Sequence, residues 1–309
     1  MQVETDELLT IQDLVRWGAC RFIEAGLHFG HGTDNAFDEA AWLVADALKM
    51  PVALIADYGQ CRVTASEREA ITALLARRVD ERRPSAYLTG RTWFAGLEMI
   101  VSDQVMVPRS PLAELISDGF APWIDPAQVG RVLDLCTGSG CIGIATAMHL
   151  PDADVDLADI SPAALRVAMR NRALHGLEER VRIIESDLFA AIDDEAVYDV
   201  IVSNPPYVAA AELESLPAEY RHEPQLAFAA GESGLDLVLR ILRDAPDFLA
   251  DDGLLIVEVG SAAETLQDRF PGVQFTWLEF EHGGDGVFLM RRQELVDAHA
   301  DFAEAVAGS

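Results

Sequence analysis

Four consecutive residues, Asn204-Pro205-Pro206-Tyr207, combine a carboxamide, two residues without a backbone donor and an aromatic ring. They follow the apolar run Asp199-Val200-Ile201-Val202-Ser203, where a strand should run out. An Asn side chain offers one carbonyl acceptor, and each proline lacks its own N–H while fixing φ at about −65°. The turn therefore presents carbonyl oxygens in a stiff geometry. Rigid acceptors beside a flat aromatic face suit a planar substrate carrying an NH2 group, either a carboxamide or the exocyclic amine of a base. A plain turn is the competing reading, because paired prolines punctuate loops of every kind.

A second constellation lies upstream. Val132-Leu133-Asp134-Leu135-Cys136-Thr137-Gly138-Ser139-Gly140-Cys141-Ile142-Gly143 reads as a strand, a glycine loop and a helix start. Gly138, Gly140 and Gly143 satisfy G-x-G-x-x-G, and Asp159 lies 19 residues past Gly140 at the end of the next strand. Both features belong to dinucleotide sites, with the carboxylate on ribose hydroxyls, so a nicotinamide enzyme competes. Asp134 weighs against it, since its charge would face a pyrophosphate placed at the helix N-terminus. An acid there suits a ligand with a positive end, and S-adenosylmethionine carries an ammonium and a sulfonium but no phosphate. Asp159 keeps its role on the ribose, and Asp187, after the third strand, stands where a polar side chain could meet the adenine amine. Tight βα turns also use glycine, so the weight rests on the set, with Asn204-Pro205-Pro206-Tyr207 at the carboxyl edge where open α/β sheets bind ligands.

The elements that must position these residues follow from periodicity. From residue 131 onwards strand and helix patterns alternate, which predicts a parallel α/β sheet. Strands are expected at 131–135, 154–159, 181–185, 197–203 and 254–259, with helices at 112–120, 162–174 and 235–249. Residues 274–280 and 286–291 read as a closing two-strand hairpin, and 293–309 as a helix with a frayed end. Ahead of the sheet, residues 1–84 read as a small helical bundle. Thr10-Ile11-Gln12-Asp13 and Thr64-Ala65-Ser66-Glu67 are capping-box patterns, a second helix covers 37–50 before Pro51, and a short one covers 52–57. Residues 85–109 carry aromatic and β-branched enrichment around Gly96, the pattern of a hairpin linker. The connection 208–234 has little strand pattern, and loops this long are commonly functional, so a lid over the substrate is expected there.

Composition sets outer bounds. The chain has 309 residues, half of them hydrophobic, enough for one large domain and a smaller one. Its acidic N-terminus lacks the basic and apolar regions of a signal peptide, and no apolar run approaches the ~18 residues of a membrane span, which predicts a cytoplasmic protein without a membrane partner. Cys20, Cys61, Cys136 and Cys141 are too scattered for a disulfide framework and complete no metal site. Asp and Glu outnumber Lys and Arg by 52 to 23, for a net charge of −29. Nucleic-acid binders gain affinity by neutralising phosphates with Lys and Arg, so this balance argues against direct nucleic-acid binding and favours a basic protein partner. An organism whose proteins are acidic throughout would give the same balance.

Several segments share one order along the chain: Gly90-Arg91-Thr92-Trp93-Phe94-Ala95-Gly96-Leu97, Val107-Pro108-Arg109, the glycine loop, Asn204-Pro205-Pro206-Tyr207 and Glu223-Pro224. In that order the sequence resembles the class I S-adenosylmethionine-dependent methyltransferases that modify the amide nitrogen of a glutamine side chain. Release-factor enzymes of that family typically carry Pro-Arg-Pro-Glu-Thr-Glu after the hairpin. Pro108-Arg109-Ser110-Pro111-Leu112-Ala113-Glu114-Leu115-Ile116 is instead similar to the branch that methylates the large-subunit ribosomal protein uL3. The resemblance implies a Rossmann-like α/β fold, with a seven-stranded, mostly parallel sheet ending in an antiparallel hairpin, plus the helical domain and hairpin linker. It divides the chain into a substrate-recognition domain at 1–84, the linker at 85–109, a catalytic domain at 110–294 and a tail at 295–309. It implies catalytic roles for Asn204, Pro205 and Tyr207, and S-adenosylmethionine held by Asp134, Thr137, Gly138, Gly140, Asp159, Asp187 and Asn204, with no metal. Cys136 departs from the pattern, standing where many members have the first glycine. Release-factor methylation, methylation of a base amine, a dehydrogenase and a non-enzymatic assembly factor remain the alternatives.

Overall fold

The computed structural model describes residues 5–209, 212, 215–228, 230, 231 and 233–308. Its contacts divide the chain into two compact units, one of Met1–Thr92, Val101–Asp103 and Pro217–Glu223, the other of Trp93–Ile100, Gln104–Leu216 and Pro224–Ser309.

The first unit is helical, with α1 (Ile11–Glu24), α2 (Ala36–Leu48), α3 (Ala65–Glu81) and α4 (Ser85–Thr89). Both expected capping boxes form. The Thr10 hydroxyl accepts from the Asp13 N–H while Asp13 takes the Thr10 N–H, and Thr64 and Glu67 repeat the exchange. Leu14, Phe22, Leu43, Val44, Ile71 and Leu75, spaced to share one stripe on each helix, make the core. The sequence reading begins the hairpin at residue 85, but 85–89 continue helically after Pro84, a proline suited to a helix start.

The segment Pro217–Glu223 joins this unit through a buried ion cluster. Arg78, 1% exposed, donates to Glu39 at 2.6 Å and to the His28 carbonyl at 2.9 Å. Glu219, wholly buried, accepts from the His28 N–H at 3.1 Å and pairs with Arg82 at 2.9 Å and Arg78 at 3.6 Å. One guanidinium thus stands between two carboxylates brought from distant parts of the sequence.

In the second unit the chain forms a small hairpin, β1 (Arg91–Phe94) and β2 (Leu97–Ile100), whose first two residues belong to the helical unit. Then follow α5 (Leu112–Ser117), β3 (Arg131–Leu135), α6 (Cys141–His149), β4 (Asp154–Asp159), α7 (Pro162–Leu174), β5 (Val181–Glu185) and β6 (Tyr198–Ser203). After the connection come α8 (Asp236–Asp244), β7 (Leu249–Glu258), α9 (Ala263–Arg269), β8 (Thr276–Trp277), β9 (Val287–Arg291), α10 (Arg292–Asp297) and α11 (His299–Ala307). The strands make one seven-stranded sheet in the order β5-β4-β3-β6-β7-β9-β8. Pairing is parallel from β5 to β7 and antiparallel for β7–β9 and β9–β8. This is the Rossmann-like architecture with a closing antiparallel pair.

Period-2 alternation sorts side chains onto two faces. Leu133, Leu135, Ile201, Leu255 and Val257 pack with Val238 and Leu239 of α8 and Phe302 of α11. Val132, Val200, Val202, Leu254 and Ile256 pack with Leu112 and Ile116 of α5, Ile144 of α6 and Ala168 of α7. Several boundaries differ from the sequence reading. Helix α5 stops at Ser117 because Gly119 and Phe120 take φ values of 61° and 66°. Helix α8 stops at Asp244, since Pro246 lacks the N–H to extend it, and β7 begins at Leu249, opposite Tyr198, with a register shift before Leu254. The C-terminal helix is two helices, interrupted at Ala298. Of the expected lid, residues 210, 211, 213, 214, 229 and 232 lie outside the described residues. No helix among the described residues is long and apolar enough to cross a membrane.

Arg78→Ala leaves Glu39 and Glu219 buried without their shared cation. Stability should fall by about 3–5 kcal/mol, read as a lower denaturation midpoint. A midpoint unchanged from wild type would show that the cluster carries no net stabilisation.

Candidate active site

The sheet reverses direction of growth at β3, with β4 on one side and β6 on the other, which is where open α/β sheets bind ligands. Register brings the strand ends level. Leu135 pairs with Ser203, Asp159 with Glu185, and Ser203 with Val257. The residues that follow each strand therefore meet along one edge.

Asp134, fully buried near the end of β3, accepts at Oδ2 from the Gly143 N–H at 2.9 Å and the Thr137 hydroxyl at 2.5 Å. One carboxylate oxygen thus pins the loop and the first turn of α6 to the strand. The fit depends on Gly143, where a Cβ would stand 2.1 Å from the Leu157 side chain and 3.1 Å from Asp134. Oδ1 of Asp134 has no hydrogen-bond partner among the described residues. Burial pushes its carboxyl up to about 7, against the two hydrogen bonds that favour the anion. Cys136 takes φ 57°, the left-handed region that glycine adopts without a Cβ clash, so the cysteine accepts the strain the usual glycine would avoid.

Asp159 accepts from the Gly138 N–H at 2.8 Å and the Ser161 N–H at 2.8 Å, and burial raises its carboxyl above the ordinary value. Asp187 forms an ion pair with Arg240 at 3.0 Å. Above these loops lies a cavity of 280 Å³, to which Thr137, Gly138, Asp159, Asp187 and Asn204 all contribute. Asp134, Gly140, Pro205 and Tyr207 are not among its lining residues. Asp134 and Gly140 support the loop from beneath. Ile142, Ile160, Leu188 and Leu237 supply an apolar wall.

Tyr207 is held at its hydroxyl end by two contacts. Its hydroxyl donates to Glu258 Oε1 at 3.3 Å. Its ring lies against Gly260, where a Cβ would come 2.5 Å from the ring. Glu258, the last residue of β7 and 7% exposed, also accepts from the Ser110 hydroxyl at 2.5 Å. Burial raises the Glu258 carboxyl, opposed by Ser110, Tyr207, the positive charge of Arg109 and the Asn204 side chain.

Sequence reasoning passed over Glu258, Ser110 as a side chain, Arg240 and Leu237. Glu258 had a readable signal, as the one charge in the apolar run 254–259 of a strand buried on both faces. Ser110 sits in the segment that distinguishes the two branches of the family, but its partner lies far along the chain.

Donors and acceptors of this kind can hold a planar NH2 group beside a ligand bound over acidic loops. Among the described residues, no three His, Cys, Asp or Glu side chains are grouped to hold a metal ion. Asp159 on the cavity wall and Asp134, buried beneath the loop with an unpartnered oxygen, put negative charge beside the glycine loop, which fits a cationic ligand and opposes a pyrophosphate.

Comparison with known proteins agrees with this architecture. Residues 117–218 match the family described as methyltransferase small domain, and residues 13–90 the PrmC N-terminal domain. A ribosomal protein uL3 glutamine methyltransferase of Xanthomonas campestris pv. campestris is 51% identical over 97% of this chain and 96% of its own. Proteins of the same name from Xylella fastidiosa and Neisseria meningitidis serogroup B are 52% and 48% identical, over 98% and 94% of this chain and 96% and 95% of theirs. With relatives this similar across nearly its whole length, and with the glycine loop, the cavity above it and the Asn204 turn in place, the chain belongs to the ribosomal protein uL3 glutamine methyltransferase family.

Proposed function

We propose that this protein transfers a methyl group from S-adenosylmethionine to the side-chain amide nitrogen of a glutamine in ribosomal protein uL3, in the cytoplasm. The observation that carries the reading is Asn204, which lines the cavity directly past β6, with Tyr207 of the same turn held by Glu258 and Gly260. The names of relatives about half identical to this chain support the choice of uL3 over a release factor. Charge supports a protein rather than a nucleic acid. A ribosomal protein meets rRNA phosphates with Lys and Arg, and a chain of net charge −29 attracts such a surface. We assign recognition of that surface to residues 1–84.

Asp159 would hold ribose hydroxyls, Asp187 the adenine amine, and Thr137 and Gly138 the amino-acid end, with Asp134 and Gly140 shaping the loop beneath. The cofactor supplies a methyl group on a positively charged sulfur, an electrophile that needs no activation. The protein's task is with the amide, whose nitrogen is a poor nucleophile because its lone pair is delocalised into the carbonyl. The Asn204 side-chain oxygen and the Pro205 carbonyl accept from the two N–H groups and fix the nitrogen's position, a gain from proximity and preset dipoles. Tyr207 packs against the amide plane. No general base is required, because the nitrogen sheds its proton readily once alkylated.

Incubation with labelled S-adenosylmethionine and purified uL3, release factor or nucleic acid, followed by mass mapping, should place the label on a uL3 glutamine. Label confined to release factor or to a base would refute the assignment. Asn204→Ala should lose on the order of 10²-fold or more in turnover with cofactor binding still measurable; normal turnover would sink the positioning mechanism.

A cationic ligand favours the ionised form of Asp134, whose carboxyl is pushed up to about 7. Below that pH the group is protonated and binding must expel the proton. S-adenosylmethionine affinity measured by calorimetry should therefore weaken as pH falls below about 7, by up to about tenfold per pH unit. Asp134→Asn should lose that slope, and a wild-type affinity indifferent to pH would remove charge complementarity as its basis.

A further inference from the structure

An Asn carboxamide is two-faced, offering an acceptor oxygen at one end and two donors at the other. If Asn204 is to receive a substrate NH2 group, its oxygen must face the substrate. The opposite orientation sets NH2 against NH2 and binds nothing. Some neighbour has to decide between the two.

We propose that Glu258 is the positioning residue that captures the Asn204 NH2 and so turns Oδ1 toward the substrate nitrogen. The inference rests on the methyl-transfer reading above and adds to it the origin of Asn204's orientation. Three observations carry it. Ser203 of β6 and Val257 of β7 are register partners on adjacent parallel strands, so Asn204 and Glu258 stand side by side as the next residue of each. The Asn204 side chain is near enough to the Glu258 carboxylate to favour its ionised form. Finally, Glu258 is itself held, by the Ser110 hydroxyl at 2.5 Å and the Tyr207 hydroxyl at 3.3 Å, and is 7% exposed. An ionised carboxylate only accepts, so it binds the NH2 end and never the oxygen. The same carboxylate thereby fixes the aromatic ring and the carboxamide that flank the substrate amide.

A glutamine at this position could present either end to Asn204 and would lose the distinction. Protonation would act likewise, because a carboxyl group can donate to Oδ1. Around Glu258 the charged or titratable groups are Arg109, from the segment ahead of α5, and Tyr207, while β9 presents the apolar Val287 opposite it. The rate should therefore be full while Glu258 is ionised and fall as pH drops through its burial-raised pKa. Ser110→Ala removes a hydrogen bond to the charged form, so that acid limb should move to higher pH.

The test uses the full-length enzyme with uL3. Glu258→Gln should lower kcat tenfold or more, leave the calorimetric Kd for S-adenosylmethionine within about twofold and lack the acid limb, while Ser110→Ala shifts the limb upward. In the cofactor-free protein, the NMR signals of the Asn204 side-chain amide should shift with the ionisation of Glu258. A Glu258→Gln enzyme with wild-type kcat, an acid limb that Ser110→Ala leaves in place, or Asn204 signals blind to pH would each overturn the proposal. So would a loss of rate matched by equal losses of cofactor affinity and melting temperature, the mark of a merely structural role. Should Glu258→Gln not fold, the Ser110→Ala profile and the NMR titration still decide. A wild-type enzyme that left uL3 unmethylated would sink both this inference and the reading beneath it, whereas an active wild type with an indifferent Glu258→Gln sinks this one alone.

Discussion

The in-register ending of β3, β6 and β7 is the constraint on which the site depends. Parallel strands exchange evenly spaced hydrogen bonds and can only be joined by long crossovers, so their carboxyl ends collect loops that need no tight turn. Leu135, Ser203 and Val257 lie in one row. The groups assigned chemistry are one or two residues from that row: Asp134 and Thr137 around the first end, Asn204 past the second, Glu258 past the third. A slip of one residue would turn each strand's side chains to the opposite face. The apolar alternation that separates the two cores forbids that slip, and so the core fixes the site's alignment without touching a ligand.

The site itself is made from locally unfavourable choices. Burial raises the carboxyls of Asp134, Asp159 and Glu258, and Asp134 keeps an oxygen with no partner among the described residues. Cys136 and Leu188 hold φ values of 57° and 50° on the cavity wall, a cost of roughly 1–3 kcal/mol each. Such features persist only where packing on both sides of the sheet over-determines them. They gather at one edge, and that clustering separates a binding edge from the rest of the sheet more sharply than the glycine loop does.

Much of this was legible in the sequence, for reasons that differ by residue. The capping boxes at Thr10 and Thr64 and the strands at 131–135, 154–159 and 181–185 are local patterns, and local patterns survive into the fold. Asn204 and Asp159 could be read because each ends an apolar run. What escaped was non-local. Glu258 acquires meaning only beside Asn204, which precedes it by most of a βαβ unit. The link between Arg78, Glu39 and Glu219 joins three segments whose spacing carries no period, so the assignment of 217–223 to the helical unit was invisible. Asp134 reads from sequence as facing the ligand, while its side chain is buried beneath the loop it anchors, an outcome decided by the absent Cβ of Gly143.

The turn after β6 cannot by itself tell an amide from a base amine, since both offer a flat NH2 group to the same acceptors. Discrimination between protein and nucleic acid must come from what surrounds it. Two arginines line the cavity, and Arg240 is engaged by Asp187 at 3.0 Å while Arg109 acts on Glu258, so neither is an isolated cation awaiting a phosphate. The remaining balance is acidic, and its repulsion of a polyphosphate reaches about 8 Å at physiological ionic strength. That range spans the last approach of a substrate to the cavity mouth. On the reading proposed above, the carbonyl clamp would set the chemistry and the charge of the chain would set which polymer arrives to undergo it. A net charge of −29 would then do for the amide what a basic surface would do for a base.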